Sequence, residues 1–177
     1  DIYTETKYVQ QRVLVDAYQP IVETLDAFGE QFGRHYQPVE TYRAEDAEVL
    51  LLTMGALGET AMEAVDARRE RGQKVGLIRL RLWRPFPFAR LFEAVGDKPV
   101  LGVMDRAVSF GGPVGPVASE VKSAFYSRDQ RPLVVEFVAG LGGRDMSVAH
   151  FDGIFDDLFA AAERGSAPAP RFVGLRE

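Results

Sequence analysis

The chain has 177 residues, 46% hydrophobic and 27% charged, with a formal net charge of -5, the profile of one ordinary globular domain. That negative balance argues against a nucleic-acid surface, which needs a positive field over phosphates. Cysteine is absent, so disulfides, thiolate catalysis and cysteine-held zinc or iron–sulfur clusters are ruled out within these residues.

No apolar run nears the ~20 residues a membrane span needs, and no basic-then-apolar leader precedes the first element. The expectation is a cytoplasmic protein with no membrane segment. The chain opens on Asp1, which points to a processed product or a piece of a longer polypeptide. His35 and His150 stand far apart with no paired ligand motif, and no metal site is expected.

From Thr6 to Phe32 the apolar positions Val13, Leu14, Ala17, Tyr18, Ile21, Leu25, Phe28 and Phe32 recur at spacings of three and four. The spacing predicts an amphipathic helix, kinked or split at Pro20 and stopped by Gly33. Residues 1–37 are read as a helical arm, packed on its own domain or on a neighbour. Then the rhythm changes. "AEVLLLTMG" (47–55), "KVGLIRLRLW" (74–83), "KPVLGVMD" (98–105) and "RPLVVEFVAG" (131–140) are strand-like. Between and after them come "ALGETAMEAVDARRERG" (56–72), "PFARLFEAVG" (87–96), "GPVASEVKSAFY" (115–126) and "SVAHFDGIFDDLFAAAERG" (147–165), all helix-like. Pro87 opens the second of these helices, and Ser147 is a candidate N-cap for the last. Four strand–helix alternations predict a three-layer α/β/α domain over 38–165 with a mainly parallel sheet of four to five strands. Residues 166–177, rich in Ala and Pro, are read as an extended tail that Phe172, Val173 or Leu175 tethers.

In the second strand Ile78, Leu80 and Leu82 alternate with Arg79 and Arg81. A central parallel strand is apolar on both faces, so two arginines on one face predict a place near the sheet edge, or a polar partner over that face.

Parallel strands send the loops at their C-terminal ends to one rim, where open α/β folds bind ligands. "MGALGET", "WRPFP", "DRAVSFGGPVGP" and "GLGGRDMS" all fall there, and Arg84, Arg106 and Arg144 each follow a strand. Helix N-termini point amides at the same rim. It is read either as a site for a small anion or as an interface, the second being preferred because glycine after a strand usually serves turn geometry. Candidate residues are Arg84, Arg106, Ser109, Gly142, Gly143 and Arg144, with Asp105 and Asp145 expected to pair with their arginine neighbours. No dinucleotide or P-loop signature is present. Ser109 and His150 share no motif and GxSxG is missing, so no catalytic residue is assigned.

Taken in order, "LLTMGALGETAMEAVD", "KVGLIRLRLWRPFP", "VMDRAVSFGGPVGPVASEVKSAF" and "AGLGGRDMS" resemble the C-terminal part of the α subunit of 2-oxoacid:ferredoxin oxidoreductases. The joint "RPFP", "DRxxSFG" and "GLGGRD" patterns carry the resemblance, which runs from about Phe28 to the last helix. It implies a domain like the C-terminal domain of transketolase and an additional antiparallel strand at "VETYR" (39–43), flanking the Arg79/Arg81 strand. It also implies an enzyme that decarboxylates a 2-oxoacid such as pyruvate with thiamine diphosphate and Mg²⁺. Electrons pass through iron–sulfur clusters to ferredoxin, and the acyl group commonly goes to coenzyme A. In the family those cofactors belong to other domains or subunits, so none is expected on this chain and its role is expected to be assembly. The thiamine-pyrimidine-binding domain that begins the family's α subunit is not in these residues, so the chain is read as a separate subunit or a fragment. The alternatives are a stand-alone small-anion or nucleotide-binding module and the C-terminal domain of another thiamine enzyme.

Overall fold

The computed structural model describes residues 2–113 and 115–176. Asp1, Val114 in the "GGPVGP" loop and Glu177 at the end of the tail lie outside the described residues. Helix α1 (Ile2–Asp16) is followed, across Ala17, by α2 (Tyr18–Phe32). Pro20 sits in the first turn of α2, where its missing N–H leaves no helical bond unmade. Gly33 ends α2 in the left-handed conformation, φ 66°, donating its N–H to Gly29 O at 2.8 Å. The predicted stop at Gly33 is present, and the predicted break falls at Ala17, three residues before Pro20.

After the arm come β1 (Val39–Tyr42), β2 (Val49–Met54), α3 (Leu57–Glu70), β3 (Val75–Leu80), α4 (Phe88–Val95) and β4 (Val100–Asp105). Then follow α5 (Pro116–Tyr126), β5 (Leu133–Val138), α6 (Val148–Arg164) and β6 (Arg171–Phe172). They build one six-stranded sheet in the order β1-β3-β2-β4-β5-β6. Every neighbouring pair is parallel except β1 with β3. The chain passes from β2 outward to β3, steps back over β2 to β4, and continues outward to β5 and β6. Strand order therefore reverses between β2 and β4.

Alternation of side chains along the strands divides the core in two. On one face Val49, Leu51, Leu77, Val135 and Phe137 pack against α3 and α6 through Ala61, Val65, Phe151, Phe155 and Leu158. On the other, Leu50, Leu52, Ile78, Leu101 and Val103 meet α4 and α5 through Leu91, Val95, Val121 and Phe125. Leu50, Leu51 and Leu52 are fully buried, which is why this stretch reads as an unbroken apolar run. Each contributes on the order of 2 kcal/mol by leaving water.

The sheet holds six strands where the sequence suggests four to five. The antiparallel β1 is the strand implied by the family resemblance. The sixth comes from the tail, whose Val173 is buried and donates its N–H to Val138 O at 2.8 Å. Val173 is thus the tether, while Leu175 is exposed. Strand β3 ends at Leu80 rather than running on to Trp83. Arg79 and Arg81 are explained by position, because β3 lies one strand in from the edge and β1, paired alongside it, brings Glu40 next to them. Glu40 of β1 accepts from Arg81 Nε and lies 3.6 Å from Arg79 NH1, and Arg79 also pairs with Glu59 of α3. Within the arm, α1 has no buried residue, while α2 buries Gly29.

Candidate functional site

Because β2, β3, β4 and β5 run in one direction, the turns after them share a rim, and the loops with Arg84, Arg106 and Arg144 all meet it. Their side chains are put to different uses. Arg84 donates to Glu120 of α5 at 2.8 Å and lies over the Trp83 ring at 4.3 Å. Arg144 donates to the carbonyl of Gly174 and so holds the turn after β5 to the tail. Arg106 reaches Gly140 O at 3.4 Å.

The expected pairing of each arginine with the acid beside it does not occur. Consecutive strand residues face opposite sides of a sheet, so Asp105 and Arg106 diverge. The Asp105 carboxylate enters the α5 face and accepts the N–H groups of Val117 and Ala118, each at 2.9 Å. Burial pushes its pKa above the ordinary carboxylate range; the two N–H bonds pull it back, and nearby Glu136 pushes it further up. Arg106 turns to the α3 and α6 face. Asp145 makes no ion pair with Arg144 among the described residues.

These contacts bear on the anion reading. A helix N-terminus attracts an anion through its free amides. At α5 those amides are already taken by the chain's own carboxylate. At α6 Ser147 is the N-cap, as expected, and the His150 ring Nδ1 accepts the Ser147 N–H at 3.1 Å. The turn after β5 is closely packed against the loop after β4 and against α3. A Cβ on Gly140 would stand 3.2 Å from both Arg106 Nε and Leu57 Cδ1, and Gly140 has φ 69°. Only glycine meets both requirements. Gly142 and Gly143 also have positive φ, 62° and 82°, with open space where a side chain would stand. They form the 3₁₀ turn Leu141–Gly143 and stay exposed.

Two clefts open on the rim. One, of about 180 Å³, lies between the turn after β5 and the tail, and Val138, Leu141, Phe172, Val173 and Leu175 line it with Arg144 at its side. The other, of about 210 Å³, lies among Met54, Gly55, Arg79, Leu80 and Arg81. Both fall below the ~300 Å³ at which sites for drug-sized ligands begin. Ser109 belongs to an exposed turn in which its carbonyl accepts the Gly112 N–H at 3.0 Å. Neither Asp105 as a clamp nor Phe110, the residue beside Ser109, stood out in the sequence. The available signal was "SFGG", a glycine two places after serine, where a tight turn needs φ above zero. Among the described residues no three carboxylate or imidazole side chains converge as metal ligands do, and no helix is long and apolar enough to cross a membrane.

Residues 47–151 match the pyruvate:ferredoxin oxidoreductase core domain II family. The pyruvate synthase subunit PorA of Thermotoga maritima is 39% identical over 179 residues, and that of Pyrococcus abyssi 35% over 176, covering 100% and 99% of this chain. The chain spans 44% of the length of each. Among solved structures, a 2-oxoglutarate:ferredoxin oxidoreductase from Magnetococcus marinus aligns at 21% identity and a TM-score of 0.49, covering 68% of this chain and 19% of the other. The chain belongs to the 2-oxoacid:ferredoxin oxidoreductase family, as a carrier of its core domain II.

Proposed function

We propose that this chain is the non-catalytic assembly part of a thiamine-diphosphate-dependent 2-oxoacid:ferredoxin oxidoreductase acting in the cytoplasm. The enzyme decarboxylates a 2-oxoacid such as pyruvate, passes electrons to ferredoxin through iron–sulfur clusters and hands the acyl group to coenzyme A. The other domains or subunits supply those cofactors. Within the chain, residues 1–37 form the arm, 38–165 the α/β domain, and 166–177 the tail that adds a strand to it.

The rim residues do not fit Mg²⁺. Oxygen ligands suit Mg²⁺, whereas Arg84, Arg106 and Arg144 bring positive charge, and Asp105 is committed to α5. The observation that carries the assembly role is the closed state of the rim. The free amides at the start of α5 are taken by Asp105, and Arg106 and Leu57 crowd Gly140 in the turn after β5. What is left outward is arginine and apolar surface, the composition enriched at protein interfaces.

The test is made in the complete enzyme. Arg106→Ala and Arg144→Ala are expected to weaken co-purification of the remaining subunits or lower the melting temperature of the complex. If both variants assemble, melt and turn over like the parent, the rim is not the assembly surface.

A further inference from the structure

Apart from the arm, exposed large apolar side chains are not scattered over this protein. Met54 ends β2, Phe88 opens the helix after β3, and Phe110, Leu141 and Leu175 follow β4, β5 and β6. All lie toward the rim, as does Phe172 of β6, and Tyr126 at the end of α5 is the exception. Single exposed apolar residues need no explanation, but a gathering along one edge does.

Phe110 differs from its neighbours. Trp83, Phe86 and Phe88 stack on one another, with ring centroids 5.6 and 4.8 Å apart. Phe110 is 96% exposed and stacks on no ring among the described residues. Its backbone, by contrast, is held. The Gly112 N–H donates to Ser109 O at 3.0 Å, and Gly111 has φ 71°. That is a tight turn with glycine in its third place and Phe110 at the corner. The loop is pinned at both ends by one side chain. Asp105, the last residue of β4, grips the first turn of α5, and a Cβ on Gly115 would collide with that carboxylate. The turn Ser109–Gly112 thus presents an aromatic ring to the outside, between ends that Asp105 ties together.

Resting on the assembly role proposed above, we infer that Phe110 is the anchor of the rim. It inserts into an apolar pocket edged by carboxylates on another part of the same oxidoreductase. The charge requirement follows from the same edge: Arg106 and Arg144 form no ion pair among the described residues, so the complementary surface carries acids. Relatives are more than twice as long as this chain, which spans 44% of them, so the pocket belongs to the share of the enzyme outside it. Aromatic anchors in desolvated pockets dominate such interfaces.

The experiment uses the complete oxidoreductase with Phe110→Ala, Phe110→Leu, and the double variant Arg106→Ala/Arg144→Ala. Hydrogen exchange of residues 107–112 and the dissociation constant of the assembly are measured in each. The parent is expected to protect 107–112 from exchange, and Phe110→Ala to abolish that protection and weaken association roughly 10- to 100-fold, with Phe110→Leu in between. Solvent-rate exchange of 107–112 in the parent overturns the proposal. So does a Phe110→Ala enzyme that assembles with the parent's constant. If the arginine variant dissociates in that same assay, the anchor alone falls and the assembly role stands; if it too assembles normally, both fall. A Phe110→Ala effect confined to the number of copies of this chain puts a second copy in the pocket and likewise overturns the proposal.

Discussion

Asp105 and Arg106 are adjacent in the chain and leave β4 on opposite faces of the sheet. The carboxylate of the first accepts the Val117 and Ala118 N–H groups at 2.9 Å, while the guanidinium of the second lies 3.4 Å from Gly140 O. One residue fastens the loop after β4 to α5, and the other packs against the turn after β5. A sequence pair that looks like an ion pair is two separate devices.

Removing the first device has a measurable cost. Asp105→Ala leaves two N–H groups at the start of α5 without a partner and is expected to lose about 1 to 2 kcal/mol, read by chemical denaturation. The pH dependence follows from burial, which raises the Asp105 pKa. A carboxyl with a raised folded-state pKa binds its proton more tightly when folded. Its contribution is therefore full below the unfolded pKa and is lost as pH rises through the folded one. As pH rises from about 4 through the raised folded-state value, the stability of the parent relative to Asp105→Asn is expected to decline. A relative stability that climbs over this window would show the opposite shift.

Arg68 joins α3 to α6. Its side chain, 5% exposed, donates to Asp152 and Asp156 at 2.6 Å each and to the Asp152 carbonyl at 2.6 Å. Arg68→Met keeps the aliphatic stem and removes the charged bonds. The two carboxylates can recover water, so the expected loss is about 2 kcal/mol rather than that of a stranded buried charge. Burial pushes the Asp152 pKa up, but hydrogen bonds from Arg68 and Arg71 outweigh it and leave the pKa lowered. A lowered carboxyl stabilises fully above its unfolded pKa of about 4 and loses that contribution as pH falls through the folded value. The gap between parent and Arg68→Met in denaturant titrations is expected to shrink in acid, and a gap independent of pH would contradict the pairing.

The tail is held by a short strand, by the buried Val173, by the Arg144 bond to Gly174 O and by an ion pair of Arg171 with Asp157 at 2.6 Å. Val173→Asp places a charge where the parent buries valine against the core. The expected outcome is release of residues 166–176 with a loss of about 2 kcal/mol. Trypsin would then cut at Arg171 well before the domain unfolds. Simultaneous loss of tail and domain in a proteolysis time course would mean that β6 is integral to the sheet's cooperativity.

Much of this architecture is legible in local pattern. The apolar run Val49–Leu52, the helical period of 56–72 and the proline and glycine punctuation of the arm each report which atoms must leave water or which bond cannot form. Those are short-range constraints, so the strand–helix alternation and the common rim follow from them. The sixth strand is not legible, because "PRFVGLRE" carries too little apolar pattern. Only the open edge of β5 makes it a strand.

At the rim the division is sharper. Chain order alone determined that Arg84, Arg106 and Arg144 follow strands and that glycines crowd the turns. Tertiary structure decided what each does, since a side chain's partner depends on which face it leaves and which element lies across from it. Asp105 meets α5 rather than Arg106 because pleating turns neighbours apart. Phe110 is set outward because the turn from Ser109 to Gly112 holds its backbone where the ring, among the described residues, stacks on no other.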